Sequence, residues 1–257
     1  LQDWGISRFT SVVQLAGHSL FMAALIAVVS GDFGMVLVYL GLFVIIAWTA
    51  GVKKRWFLLA LVLGVAAVII VWPHVPGYIQ GRFTVVIDHI TGNPDTYVEQ
   101  TQGRGWQQTR SILAIGSGGL FGQGYLQGTQ TQSASEEALP ARHTDEIFAV
   151  CGEEFGMVGC ILVILLLTAI ILRCVWVARR ANSPMAAYVA MGYAAMLLLQ
   201  TVINIGMCLY VFPVVGLPLP FFSSGGSSII TLYACMGIVS GIKMRSLPSW
   251  LRDRSQL

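Results

Sequence analysis

Arg142, His143, Asp145 and Glu146 stand together in Leu139-Pro-Ala-Arg-His-Thr-Asp-Glu-Ile-Phe148, directly ahead of a long apolar run. A carboxylate in such a place could take a proton from a substrate hydroxyl or hold a cation. Arginine and histidine beside it could bind a phosphate. Position alone allows a simpler role, because Asp145 or Thr144 could cap the helix that follows. Glu153 and Glu154 lie two turns further on, at the start of the apolar run. On a helix Glu153 shares a face with Asp145 and Glu146, whereas Glu154 points elsewhere. Either glutamate could instead pair with a neighbouring helix or reach the membrane interface. Acids inside a membrane span are costly and are commonly kept for function.

Other polar groups also interrupt apolar sequence. Asp32 sits in Ser30-Gly-Asp-Phe-Gly34, either as a turn residue or as a buried acid that pairs with an arginine. Gln200 and Asn204 are four apart and share a helix face, where such residues usually bond to another helix. Phe212-Pro-Val-Val-Gly-Leu-Pro-Leu-Pro220, followed by Phe221-Phe-Ser-Ser-Gly-Gly-Ser-Ser228, cannot form one straight helix. Irregular backbone near membrane depth has to be buried in protein or line a wet cavity. The N–H groups of Ser223, Ser224, Gly225 and Gly226 could receive an anion, or the stretch is only a loop.

The elements that must position these residues follow from composition. Of 257 residues 56% are hydrophobic and 11% charged, against about 25% charged in soluble domains. The expected fold class is therefore an all-α polytopic membrane protein, a single membrane domain over 1–257. A nucleic-acid role is excluded, since no Lys/Arg block with interleaved aromatics occurs. The five cysteines form no CxxC pair and read as small apolar packing residues. Six spans are expected, at about 11–29, 33–50, 56–72, 146–172, 186–210 and 227–243.

Basic residues concentrate on the cytoplasmic side of a membrane. With the N-terminus inside, Arg8, Lys53-Lys54-Arg55, Arg173/Arg179/Arg180 and Lys243/Arg245/Arg252/Arg254 all fall there, eleven of fifteen. Both ends of this chain are then cytoplasmic, with a tail over 244–257 that frays from 249. The other four basic residues, Arg82, Arg104, Arg110 and Arg142, fall in one extracytoplasmic loop, about 73–145. Pro73 and Pro76 should end the third helix. Gly105 to Gly119 suggests a short interfacial helix, with Ile112, Leu113 and Ile115 as its apolar residues and Trp106 as anchor. Gly122-Gln-Gly-Tyr-Leu-Gln-Gly128 is too rich in glycine for regular structure.

Ordered blocks resemble the SEDS family (RodA, FtsW, SpoVE), the polytopic peptidoglycan glycosyltransferases. Gly31-Asp-Phe-Gly34 resembles its Gln-Pro-Asp-Leu-Gly block. Ile115-Gly-Ser-Gly-Gly-Leu-Phe-Gly-Gln-Gly124 and Gly128-Thr-Gln130 resemble its Ile-Gly-Ser-Gly-Gly and Gly-Thr-Gln elements, the latter RodA-like. Leu139-Pro-x-x-His-Thr-Asp-x-Ile-Phe-Ala149 with Glu153-Glu-Phe-Gly156 resembles its extracytoplasmic signature. Asn204-Ile-Gly-Met207, Phe212-Pro213, Gly216, Pro218, Pro220 and Phe222-Ser-Ser-Gly-Gly-Ser-Ser228 resemble its C-terminal one. Departures are Ala141 for Glu, Glu146 for Phe, Cys208 for Asn, Tyr210 for Gly and Ser224 for Tyr. Members have about ten spans, so the chain resembles the later part, without roughly the first four helices.

The resemblance implies an inverting glycosyltransferase that polymerises lipid II at the outer face of the bacterial cytoplasmic membrane, for elongation, division or sporulation. It implies Asp145 as the essential base. Arg142, His143 and Arg110, with or without a divalent cation (Mg2+ or Mn2+), would stabilise the departing pyrophosphate. Thr144, Gln130, Asn204, Ser223, Gly225 and Gly226 are further candidates for substrate binding. Asp32, Glu153, Glu154 and Gln200 are candidates for support. The implied partners are undecaprenyl-linked glycan, membrane lipid and a class B penicillin-binding protein. The rival readings are a lipid II flippase and a non-catalytic scaffold for the transpeptidase.

Overall fold

Long apolar stretches with glycine and proline confined mostly to their ends dictate long helices, and a computed structural model gives an all-helical chain. It describes residues 9–92, 94–133 and 138–246. In chain order the helices are α1 (Phe9–Ser30), α2 (Phe33–Thr49), α3 (Lys54–Val71), α4 (Gly77–Thr91), α5 (Tyr97–Thr101), α6 (Trp106–Ser117), α7 (Ile147–Arg179), α8 (Pro184–Cys208) and α9 (Gly226–Arg245), with short 3-10 turns after α3 and before α5. No strand occurs among the described residues. Five helices, α1, α3, α7, α8 and α9, are long and apolar enough to cross a membrane. The sixth expected span, α2, forms as a shorter apolar helix of 17 residues. Arg8 and the tail expected to fray from 249 lie outside the described residues.

The chain divides into two compact units. One holds 1–61, 167–199 and 226–257. In it a Cβ on Gly41 would come within 2.8 Å of Leu199, and one on Gly192 within 3.2 Å of Ile46. Small residues thus let α2 approach α8, the usual means of helix packing where lipid is as apolar as leucine. The Tyr193 hydroxyl donates to the Leu232 carbonyl at 2.9 Å, tying α8 to α9. Asp32 caps α2, accepting from the Met35 N–H at 3.0 Å.

The second unit holds 62–166 and 200–225. Its central device is a break in α7. Gly156 takes φ 67°, ψ −163°, a backbone conformation reserved for glycine. The carbonyls and N–H groups released around the break are paired by the glycine-rich loop that follows α6. Gln123 N–H donates to Glu153 O at 2.9 Å and Gly124 N–H to Glu154 O at 3.1 Å. Met157 N–H donates to Gly119 O at 2.9 Å and Val158 N–H to Leu120 O at 3.2 Å. A Cβ on Gly118 would sit 1.9 Å from Gly152 O, and one on Gly122 2.1 Å from Glu154 O. The loop that looked structureless has no regular element, yet main-chain bonds fix it to α7.

The break also settles a length problem. At 33 residues α7 would run about 50 Å if straight, against a hydrocarbon core of about 30 Å. The portion after Gly156 suffices to span. The portion before it is left to carry Glu153 and Glu154 and to follow directly from Asp145.

Candidate functional site

The turn 141–146 delivers Asp145. Ala141 has φ 47°, and its carbonyl accepts from the N–H groups of Thr144 at 3.0 Å and Glu146 at 3.2 Å. Val150 N–H donates to Glu146 O at 3.2 Å, so the helical ladder begins at Glu146. Asp145 therefore stands one residue ahead of the capping position, half-buried.

Three consecutive carbonyls of this turn are pinned from the C-terminal part of the chain. The Ser224 hydroxyl and N–H donate to His143 O at 2.7 and 2.8 Å. The Ser223 hydroxyl donates to Thr144 O at 2.5 Å. The Asn204 amide donates to Asp145 O at 2.8 Å and to Leu217 O at 2.7 Å. Leu219 N–H donates to the Ser223 hydroxyl at 2.7 Å. One asparagine on α8 thus fixes both the turn that bears Asp145 and the proline-rich segment 212–220. Gly216, at φ 67°, belongs to that segment, and a Cβ there would lie 3.7 Å from Asp145 Oδ2.

This geometry changes the expected anion site. Ser223 N–H donates to Leu219 O at 3.0 Å and Ser224 N–H to His143 O. Both donors are spent within the protein and do not face an anion. Gly225 is half-buried. Gly226 opens α9 in the other unit.

Glu153 and Glu154 point to different sides of α7, yet both bind one loop, which wraps far enough around the helix to meet them. Glu153 Oε1 accepts from Gln130 N–H at 2.7 Å and the Thr129 hydroxyl at 3.1 Å, while Oε2 accepts from Thr131 N–H at 2.8 Å. Glu154 accepts from Leu126 N–H at 3.1 Å, the Thr131 hydroxyl at 3.2 Å and the Gln132 amide at 2.8 Å. Hydrogen bonds to a charged group are worth about 1.5–3 kcal/mol each, so the pair is a strong anchor. Arg142 completes it by donating to Thr131 O and, at 3.2 Å, to Ser133 O. Its guanidinium is engaged on the loop, not held out towards solvent. His143 is exposed, and Arg110 is half-buried on α6. Asp32 belongs to the other unit. Gln200 is buried one turn from Asn204 on α8.

Helix α6 was expected as a short interfacial helix marked by Ile112, Leu113 and Ile115, of which Ile112 and Ile115 pack against buried residues. Its buried face is Gln108, Ser111 and Ala114, while Leu113 is exposed. The reason is the end of α8, whose last carbonyls lack helical partners. The Gln108 amide donates to Met207 O at 3.3 Å and Phe212 O at 2.7 Å, and the Ser111 hydroxyl to Cys208 O at 2.9 Å. On α4, Arg82 donates to Val214 O at 2.9 Å and so braces the same proline-rich segment. The spacing of Gln107, Gln108 and Ser111 was the signal that could have marked this face. Arg82 had none.

Glu146 is fully buried and faces α6. Gln107 donates to its Oε1 at 3.0 Å, and the Ser111 hydroxyl and Cys208 thiol lie against the same carboxyl. Burial raises its pKa above the ordinary 4.5; those hydrogen bonds oppose the shift, and the neighbouring Asp145 charge adds to it.

Comparison with known proteins places this arrangement. The model of the FtsW/RodA/SpoVE family, described as cell cycle protein, matches residues 2–247. The chain is 39% identical over 226 residues to the peptidoglycan glycosyltransferase MrdB of Escherichia coli K12, covering 87% of this chain and 58% of that protein. It is 32% identical over 226 residues to the stage V sporulation protein E of Bacillus subtilis, covering 88% and 58%. Among solved structures it resembles a chain reported under "Structural coordination of polymerization and crosslinking by a peptidoglycan synthase complex", with a TM-score of 0.74 and 26% identity over 95% of this chain and 65% of that one. It also resembles a point mutant of the Thermus thermophilus rod shape determining protein RodA, with a TM-score of 0.58 and 26% identity over 91% and 57%. The chain thus spans somewhat under two thirds of the length of these relatives. Matched over nearly its whole length, it belongs to the FtsW/RodA/SpoVE family.

Proposed function

We propose that this chain carries the catalytic part of a peptidoglycan glycosyltransferase that extends glycan strands from lipid II. The observation that carries the reading is the half-buried Asp145, its main chain held by Asn204 and the flanking carbonyls by Ser223 and Ser224. A base fixed through its backbone is held in one position, and positioned acid–base groups contribute about 10²–10⁴-fold. The turn and the segment 212–220 meet at Asn204, so a sugar between them would be oriented by both.

Asp145 takes the proton from the 4-hydroxyl of the acceptor sugar. That oxygen forms a bond to the anomeric carbon of the donor as the bond to undecaprenyl pyrophosphate breaks, with inversion. The pyrophosphate leaves as an anion, and Arg110 and His143 are the basic side chains proposed to stabilise it. Among the described residues no group of three metal-binding side chains occurs. A magnesium or manganese ion on the leaving group would be held mainly by the pyrophosphate oxygens and water, as is common for magnesium, and would supply charge stabilisation. With both ends of this chain cytoplasmic, Asp145 lies on the outer side of the bacterial cytoplasmic membrane. A class B penicillin-binding protein is the proposed partner, in line with the synthase complex named for one structural relative.

The test is reconstitution with the transpeptidase and labelled lipid II. Glycan polymer from the wild type, and its loss in Asp145→Ala, is the expected result. Movement of lipid II across liposomes without polymer would favour a flippase. Neither activity would favour a scaffold.

A further inference from the structure

Charge is unevenly divided between the two units. The first carries eleven basic and three acidic residues, a net +8, and the second four basic and nine acidic, a net −5. Within the first unit three cations converge on one indole. The Arg173 guanidinium lies 4.2 Å from the centre of the Trp176 ring, that of Arg180 4.3 Å and the Lys243 ammonium 4.4 Å. They come from the last turns of α7, its end and the last turn of α9. Arg173 and Arg180 are exposed and Lys243 is half-buried.

Three like charges within a space of roughly 9 Å repel at about the screening length of physiological salt. The indole face and the two helix C-termini offset part of this. Among the described residues no carboxylate pairs with them, and the sequence holds no acid between Glu154 and Asp253. Asp32, the one acid among the described residues of this unit, is used as a helix cap. A solvated basic stretch would spread its side chains apart, whereas these gather on a tryptophan at the end of two membrane-length helices. Tryptophan favours the depth of lipid headgroups, and guanidinium forks match phosphate oxygens.

We propose that Arg173, Arg180 and Lys243, gathered on Trp176, bind the phosphate of an anionic phospholipid headgroup. The indole holds the cations in place and the acyl chains run along the exposed apolar surface at the end of α7, where Leu172 faces outward. The turn between α2 and α3 shows a looser version, with Lys54 5.8 Å from the Trp48 ring and Arg55 5.6 Å from that of Trp56. One cation on each ring makes no comparable cluster there, and that turn serves as the internal control.

The experiment is native mass spectrometry of the full chain from detergent, titrated with phosphatidylglycerol or phosphatidylcholine. The expected result is preferential retention of phosphatidylglycerol, weakened roughly a hundredfold in R173Q/R180Q/K243Q and little changed in K53Q/K54Q/R55Q. If the first triple variant does not fold, R180Q alone should weaken retention about fivefold. Equal losses in both triple variants would overturn the proposal, because bulk charge would then explain the binding. Displacement of the lipid by an equal concentration of inorganic phosphate would mark a soluble-anion site, and preference for poly-glutamate a protein-binding one. Either result would also overturn it.

Discussion

The side chain of Asn204 holds the main chain of Asp145, donating to its carbonyl at 2.8 Å while bonding Leu217 O at 2.7 Å. Asn204 is fully buried, so neither carbonyl has water as a ready substitute. Replacing it with alanine removes the amide donor from both, leaving Asp145 O with the weak Cys208 thiol at 3.8 Å; an unpaired buried acceptor costs about 1–3 kcal/mol. Asn204→Ala is expected to lower the thermal unfolding midpoint. It should also cut the rate of glycan synthesis while Asp145 is intact, with the loss in kcat larger than any rise in KM. An unchanged kcat would show that Asn204 does not position the base.

Glu146 predicts a pH dependence of stability. Its folded pKa is raised by burial above the ordinary 4.5. Below 4.5 the carboxyl is protonated in both states and its burial is least costly. As pH rises from there towards the folded value, the unfolded chain ionises first and stability falls. Glu146→Gln removes this loss and keeps an acceptor for Gln107. The variant should therefore be more stable than wild type at pH 7, with the two converging near pH 4.5. Melting curves across that range test it. A wild type that gains stability relative to Glu146→Gln as pH rises would contradict the assignment.

Gly156 cannot be replaced cheaply. It has φ 67° and ψ −163°, and a Cβ there would lie 2.4 Å from Gly122 N. Gly156→Ala should cost about 3 kcal/mol or more and detach the loop 118–132 from α7. Hydrogen exchange at Gln123 and Gly124, whose N–H groups are bonded to Glu153 and Glu154, should quicken well before global unfolding. Continued protection there would show that the loop does not depend on the break.

Tyr210 sets two effects against each other. It closes α8 at φ 61°, with Val211 N–H bonded to Gly206 O at 2.8 Å and Tyr210 N–H to Met207 O at 3.2 Å. This termination favours glycine, so Tyr210→Gly regains about 1 kcal/mol of backbone strain. The ring, however, stacks on His89 at 4.0 Å and packs against Val85 and Val86. Loss of a buried aromatic costs about 3–5 kcal/mol. The net prediction is destabilisation by roughly 2–4 kcal/mol, read by denaturant unfolding. A stabilised variant would mean that strain outweighs packing.

Much of this was legible before the structure. Length and hydropathy located the six long apolar helices, since backbone polar groups in lipid leave few alternatives, but gave no sign of α4 or α5. The clustering of Arg142, His143 and Asp145 marked the turn, and Asn204 and Ser223 were marked by being polar within apolar sequence. What stayed hidden depends on contacts between distant segments. Nothing local to Glu153 and Glu154 says that both receive one loop. Helix α6 was marked only by its apolar residues, because its periodicity does not reveal the carbonyls at the end of α8 that attract Gln108 and Ser111. The serine N–H groups looked open to an anion because their partners, Leu219 and His143, are fixed only in the fold.

The most direct measurement compares Asp145→Asn with Glu146→Gln in polymer synthesis from lipid II, with melting curves recorded alongside. Both substitutions neutralise a carboxyl in the same turn with nearly the same shape. The account predicts a loss of about 10²–10⁴-fold in Asp145→Asn at an unchanged melting temperature, and near wild-type synthesis in Glu146→Gln. Equal activity in the two variants, or the larger loss in Glu146→Gln, would contradict the assignment of Asp145 as the base.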